Sequence, residues 1–252
     1  MATSDTVRLA AVADIHCTRT SQGVFQPLFA RIAERADVLL LCGDLTDYGL
    51  PEEAHVLVRE LAAAERVPTV AVLGNHDFES GKQDMVRDIF CEAGLHMLDG
   101  DAREVHGIGF AGVKGFGGGF GRGALGLWGE EVSKQFVRAA IDEALKLEAA
   151  LARLRTPQRI AVLHYSPIRA TVEGEPPEIF PFLGSSRLEE PLMRYPVTAV
   201  FHGHAHNGKR EGSIREGTPV YNVSLPLLRK TAPDKSPFFL FEVPLEHPAE
   251  TH

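Results

Sequence analysis

Cysteine is scarce in this chain, with three residues in 252, at positions 17, 42 and 91. An odd, low count without short-range spacing excludes a disulfide framework and predicts reduced thiols in a cytoplasmic protein. Long apolar runs are missing too. Val38-Leu39-Leu40-Leu41-Cys42 is typical of the longest stretches, far short of the ~20 residues of a membrane-crossing helix. The start, Met1-Ala2-Thr3-Ser4-Asp5, lacks the basic-then-apolar order of a secretory signal. Positive charge is in deficit: 26 Lys and Arg face 34 Asp and Glu, for a net charge of −8. Without a basic cluster such a chain is poorly equipped to displace counterions from a nucleic-acid backbone. Ordinary apolar (44%) and charged (24%) fractions exclude disorder, collagen and a coiled-coil rod. No linker, internal repeat or compositional break divides residues 1–252, so one domain is expected.

Histidine, by contrast, is plentiful. Five of the 11 histidines stand in short neighbourhoods with Asp, Asn or Gly, and an acidic chain with clustered His and Asp is a candidate metal binder. Their setting is a strand–helix–strand rhythm. Arg8–Ala13, Val38–Cys42 and Pro68–Leu73 read as buried strands, with helical spacing over Val24–Ala36 and from Pro51 to about Ala64. Proline at a first helical turn is tolerated. The rhythm predicts an α/β fold with parallel strand pairs, in which ligands bind beyond the carboxyl ends of the strands. Arg159–Leu163 and Val197–Phe201 read as further strands, Glu130–Arg155 as a long amphipathic helix and Leu188–Tyr195 as a short one. Val132, Phe136, Ala140, Leu145, Leu147, Leu151 and Leu154 are expected on one side of the long helix. Pro219–Val223 and Phe238–Val243 are expected to close the fold as antiparallel strands, with a frayed tail from Leu245.

Residues 107–129 hold 11 glycines. A flexible hairpin and loop is the favoured reading; the sharper one is a mobile loop bringing Lys114, Arg122 or backbone amides to an anion. The Gly-x-x-x-x-Gly-Lys-Ser/Thr spacing of a nucleotide loop is absent.

Five strand ends carry, in order, Asp14-x-His16, Gly43-Asp44, Gly74-Asn75-His76-Asp77, His164 and Gly203-His204-x-His206. Each is weak alone, and the ensemble is not. Two cations ~3.5–4 Å apart repel one another, and a bridging carboxylate, a part open to Asp44, places negative charge between them. Imidazoles and an amide oxygen fill the shells without neutralising the Lewis acidity. Cys17 and Cys42 have no finger spacing and are expected to be small buried or near-site side chains.

These motifs, spread over residues 14–206, resemble the calcineurin-like metallophosphoesterases. The resemblance implies an α/β, four-layer αββα sandwich of two mixed β-sheets flanked by helices, with a dinuclear centre at the strand ends. It implies one metal held by Asp14, His16, Asp44 and His206, and another held by Asp44, Asn75, His164 and His204. It makes His76 the non-ligand histidine facing the leaving group and Asp47 its orienting carboxylate. The expected reaction is hydrolysis of a phosphate ester by a hydroxide between the metals, with His76 protonating the leaving oxygen. Mixed N/O ligation suits Mn or an Fe/Mn pair, with Zn open, and no tyrosine lies within the Gly43–Asp47 or Gly74–Asp77 motifs, as an Fe(III) charge-transfer site would require.

The compact chain and the Gly-Asp-Leu-Thr-Asp and Gly-Asn-His-Asp forms look most like stand-alone, cyclic-nucleotide-phosphodiesterase-like members. A small phosphodiester is therefore the favoured substrate. A phosphomonoesterase or phosphoprotein phosphatase comes next, then a nuclease, and then a scaffold that has lost catalysis. His202 reads as structural and Asp77 as a turn brace. Arg19 and Asn207 are balanced between phosphate contact and solvated loop, while Tyr165 and Arg169 are candidates to line a pocket. His55, His96, His106, His247 and His252 read as surface residues. No membrane association is expected, and oligomeric state is left open.

Overall fold

In the computed structural model, which describes residues 6–214, 217–232 and 236–245, alternation along the strands sorts side chains into layers. One sheet holds β1 (Thr6–Val12), β2 (Val38–Cys42), β3 (Thr69–Val72), β4 (His96–Met97) and β11 (Phe239–Pro244), in the order β11-β1-β2-β3-β4. The other holds β5 (Asp101–Val105), β6 (Ile108–Val113), β7 (Arg159–Leu163), β8 (Ala199–His202), β9 (Glu211–Ser213) and β10 (Pro219–Asn222), in the order β5-β6-β7-β8-β10-β9. Both are mixed: parallel in the middle, with antiparallel β11, β5 and β9 at edges.

Successive side chains of a strand face opposite ways, and here both faces are buried. Leu9, Val38, Leu40, Ile160, Val162 and Phe201 meet between the sheets. Ala10, Val12, Leu39 and Leu41 face instead the helices α1 (Gln26–Ala33), α2 (Pro51–Leu61) and α3 (Gln83–Glu92). Ala161, Leu163 and Val200 pack under α4 (Glu131–Arg153) and α6 (Glu189–Arg194). Helix, sheet, sheet, helix is the four-layer αββα sandwich. Two short helices complete the set, α5 (Phe180–Leu183) and α7 (Leu225–Thr231). Continuous apolar runs such as Val38–Cys42 follow directly from burial on both faces.

Several expectations change. Pro219–Asn222 pairs parallel with β8 and antiparallel only with β9, whereas Phe239–Pro244 is antiparallel to β1 as expected. In α4 the buried positions are Val137, Ala140, Glu143, Leu147, Ala150 and Leu151, while Val132 and Leu145 are 77% and 56% exposed. At 100° per residue Leu145 lies about 200° around the helix from Leu147, on the opposite face. The glycine-rich segment does open in a hairpin, of β5 with β6, but one built into the sheet. Its first third is β6, an interior strand between β5 and β7, where a Cβ on Gly109 would lie 2.3 Å from Thr156 and one on Gly112 2.9 Å from Val72. The expected fraying beyond Leu245 falls on residues 246–252, outside the described ones, as do His247 and His252.

Cys17 and Cys42 are fully buried and Cys91 is exposed, all three unpaired. Burial pushes the Cys17 thiol up to about 12 and Cys42 well above its ordinary value, and the thiolate is the reactive form. A disulfide-exchange reagent should therefore label one thiol per native chain and three in denaturant. Fast labelling of a second native thiol would contradict this packing.

Candidate metal centre

The parallel strands of both sheets end on one rim. Main-chain hydrogen bonds fasten the ends together: Asp14 N donates to the Gly43 carbonyl, His16 N to that of Asp44 and Gly203 N to that of His164, at 3.0–3.1 Å. The residue after each strand thus points into one shared space. The cost is local strain. Asp14, His16, Asp44 and His204 have φ of 57°, 48°, 50° and 70°, a left-handed conformation that disfavours non-glycine residues by roughly 1–2 kcal/mol each. Among the described residues, four of the five such non-glycine residues belong to the expected site, the other being His106, and strain of this kind clusters where function holds it. The glycines before the ligands serve close approach. A Cβ on Gly74 would lie 2.1 Å from Asp44 Oδ1, one on Gly203 2.4 Å from Asp14 Oδ2, and one on Gly43 2.4 Å from His164 Nδ1. Only Gly43 also needs a positive φ, at 86°.

Two groups of donors match the expected ligands, and a third joins His16 to Asp47 and His76. Asp14, His16 and His206 form the first and Asp44, His164 and His204 the second, with ligand atoms within 4.8 Å in each. His206 Nε2 is 3.0 Å from Asp14 Oδ1. His164 Nε2 is 2.9 Å from Asn75 Oδ1 and 3.3 Å from Asp44 Oδ1, which places Asn75 beside the second group. Asp44 reaches both of these groups, with Oδ2 at 3.8 Å from His16 Nε2. All seven residues expected as ligands are therefore in one place.

Hydrogen bonds outside the groups select which nitrogen faces inward, as the outer partners of metal-binding histidines do. His164 Nδ1 donates to the Cys42 carbonyl at 3.0 Å, leaving Nε2 inward. His204 Nε2 donates to the Phe182 carbonyl at 3.0 Å, leaving Nδ1 inward. The electrostatics call for cations. Burial opposes charge on His164, but Asp44 and Asp14 push its pKa up to about 9, so that a proton stands where positive charge is needed. Burial alone would raise Asp14 and Asp44; the His206 contact holds Asp14 low and His164 holds Asp44 well below the usual carboxylate range. Burial pushes His204 down to about 4, the neutral, ligand-competent form. Both ring nitrogens of His16 are buried without a hydrogen-bond partner, a costly arrangement that a bound cation would relieve. Donor types, charge and orphaned nitrogens all fit two hard or borderline cations.

One contact differs from expectation, that of Asp47, while Asp77 and His202 stand as expected. His76 Nδ1 lies 2.7 Å from the main-chain carbonyl of Asp47 and 3.8 Å from its carboxylate. That carboxylate stands nearer His16 Nδ1, at 3.2 Å. The orienting acceptor for His76 is thus backbone, and any residue at 47 supplies it. Asp47→Asn should consequently cost less than tenfold in kcat; a loss of a hundredfold or more would return the role to the carboxylate. Asp77 is fully buried and accepts from Gly74 N, Leu45 N, Thr46 N and Thr46 Oγ1, bracing two ligand-bearing turns against each other. Burial and nearby Asp44 push its pKa up to about 6. His202 is structural: fully buried, it donates through Nδ1 to the Gly203 carbonyl and meets Thr171 Oγ1 through Nε2.

Tyr165 packs its ring 4.5 Å from that of His204 and Arg169 lies over Phe180. Asn207 is held by Glu175 and Lys230, and Arg19 is exposed. Tyr48, which follows Asp47, is exposed. Lys114 does not hang free. Its ammonium donates to the Gly115 carbonyl and sits 4.9–5.3 Å from the rings of Phe78, Phe116 and Tyr165.

Residues 7–208 match the family described as calcineurin-like phosphoesterase. The chain belongs to that family. It is a metal-dependent hydrolase of phosphoric esters by membership. No curated protein matches it. Among solved structures, it resembles phosphopantetheinyl hydrolase from Mycobacterium tuberculosis, with 17% identity, a TM-score of 0.67, and 92% of this chain and 95% of that one covered. Purple acid phosphatase from yellow lupin seeds is similar at 14% identity and a TM-score of 0.60, over 89% of this chain and 44% of that one. A protein of Thermus thermophilus, TT1561, is similar at 16% identity and a TM-score of 0.53, over 89% and 92%. At these identities the likeness is one of fold.

Proposed function

We propose that this calcineurin-like phosphoesterase is a cytoplasmic, dinuclear-metal phosphodiesterase of small substrates. The observation that carries the reading is the pair of donor groups, Asp14–His16–His206 and Asp44–His164–His204 with Asn75, with His76 at their rim. Manganese or an iron–manganese pair suits a donor set of imidazole, carboxylate and amide with no thiolate. Bound there, the cations supply Lewis acidity, polarising phosphoryl oxygens and acidifying water.

The chain's own residues do the rest. Cys42 and Phe182 carbonyls fix the His164 and His204 rings, and Asp77 fixes the turns under Asp44 and Asn75. His76 lies with its ring centroid 4.4 Å from that of His16. With Nδ1–H given to the Asp47 carbonyl, its Nε2 is left for substrate. As imidazolium it gives the Nε2 proton to the leaving oxygen, and a positioned acid of this kind contributes about 10²–10⁴-fold. The rim is open: His76 and His206 side chains are 40% and 38% exposed, leaving room for two ester arms on phosphorus. Three unpaired cysteines fit a reducing cytoplasm, and no helix among the described residues is long and apolar enough to cross a membrane.

The test is turnover of bis-p-nitrophenyl phosphate against p-nitrophenyl phosphate with Mn²⁺, Fe²⁺/Mn²⁺ and Zn²⁺. Diester preference is expected. Monoester preference would make the protein a phosphomonoesterase, and no turnover with any metal would leave a scaffold.

A further inference from the structure

The chain's single tryptophan sits on the surface. Trp128 is 73% exposed and Val132 77%, and with Phe182 at 59% they wall one groove, completed by Leu125, Phe136 and Val137. Isolated exposed apolar residues need no explanation, but a contiguous set marks a contact surface. The set is also built: a Cβ on Gly126 would come within 2.7 Å of the Trp128 ring, so glycine there lets the indole lie against the backbone. Val132 belongs to the first turn of α4, where the buried face of the helix has not yet begun.

The groove is linked to the metal centre through Phe182. Phe182 lends its side chain to the groove wall, while its carbonyl holds His204. The Phe136 ring lies 6.0 Å from Phe182 and 4.9 Å from Phe116; Phe116 is 5.8 Å from Tyr165, itself 4.5 Å from His204. The Lys114 ammonium stands over the Phe116 ring at the polar end of this path. A cation and a site histidine thus give way to hydrocarbon within a few residues. The groove encloses about 280 Å³. At about 30 Å³ per water-sized group it has room for about nine heavy atoms, enough for a hexyl chain or an aryl ring. A stable protein partner needs roughly 800 Å² on each side, well beyond it.

We infer that the groove walled by Trp128, Val132 and Phe182 seats an apolar arm of the substrate, so that the enzyme selects phosphate esters carrying an alkyl, acyl or aryl group. This rests on the phosphoesterase reading, and the test separates the two. Hexyl and methyl p-nitrophenyl phosphate undergo the same step: a water oxygen bonds to phosphorus, the bond to the nitrophenyl oxygen breaks, and nitrophenolate leaves. A fully buried methylene is worth about fourfold, so the hexyl ester should exceed the methyl ester at least tenfold in kcat/KM. Val132→Asp should cut that ratio at least fivefold and Val132→Leu preserve it. An acidic residue in a first helical turn is favourable, so Val132→Asp should fold.

Trp128 supplies a readout independent of turnover. Hexylphosphonate should shift its emission to shorter wavelength and saturate, with no shift from methylphosphonate or in Val132→Asp. Equal turnover of the two esters, or no shift with hexylphosphonate, would overturn the inference. So would a shift produced by phosphatidylcholine vesicles but not by hexylphosphonate, or one that grows with protein concentration as a dimer forms. A shift without turnover of any ester would instead overturn the phosphoesterase reading while leaving an apolar site.

Discussion

Asp44→Asn is expected to empty at least one metal position and remove activity. Asp44 is the carboxylate that reaches both donor groups, 3.3 Å from His164 Nε2 and 3.8 Å from His16 Nε2, and it is almost wholly buried. Asparagine keeps the shape and loses the charge. Removing one partner of a buried charge pair costs roughly 3–5 kcal/mol, which is two to nearly four decades in affinity. The amide also presents N–H where Gly74 leaves no spare room, since a Cβ there would lie 2.1 Å from Asp44 Oδ1. Elemental analysis of the purified variant checks this. Fewer than two metals per chain and a fall in kcat/KM of at least a thousandfold are expected; full occupancy with near-normal turnover would show that Asp44 is no bridge. His164 supplies an internal comparison. Its raised pKa depends on Asp44, so the metal-free variant should hold His164 neutral to a lower pH than the metal-free parent, a shift readable in its ring NMR signals.

How much of this was legible follows from what each residue type can encode. Strands β2 and β7 stand out because burial on both faces demands unbroken apolar runs, and their ends are marked by residues that no core needs. The gathering of the expected ligands was legible for the same reason: each lies one to four residues past a strand, so local sequence carries their placement. The role of Asp47 was not, because a main-chain carbonyl contacts His76 and main chain has no signature in residue type. Val132 and Leu145 were misplaced by grouping apolar residues along α4 without holding them to the 100° step; Val137, Ala140, Leu147 and Leu151 keep that step and are the buried ones. Composition marks the β6 glycines as a flexible hairpin, whereas Gly109 and Gly112 answer to neighbours distant in sequence, Thr156 and Val72. Short edge strands such as β4 and β9, two and three residues long, give periodicity nothing to act on.

His76→Ala is expected to lower kcat by about 10²–10⁴-fold with both metals retained. The separation from Asp44→Asn is the point of the experiment. The His76 side chain is 40% exposed at the rim, and its one hydrogen bond runs to the Asp47 main-chain carbonyl and not to an expected ligand. Its backbone N–H does donate to Asp44 Oδ1 at 2.8 Å, and alanine keeps that bond, so the Asp44 carboxylate stays aimed. The loss should also depend on the leaving group. An ester with a good leaving group, p-nitrophenolate, has little need of a proton, whereas a simple alkoxide cannot depart without one. The penalty for removing His76 should therefore be at least tenfold larger for an alkyl leaving group than for p-nitrophenyl. Equal losses on both would make His76 a binder of charge on the phosphoryl oxygens instead of the acid, and loss of metal in the alanine variant would place it in the ligand set with His16 and Asp47, whose donor atoms it approaches within 4.8 Å.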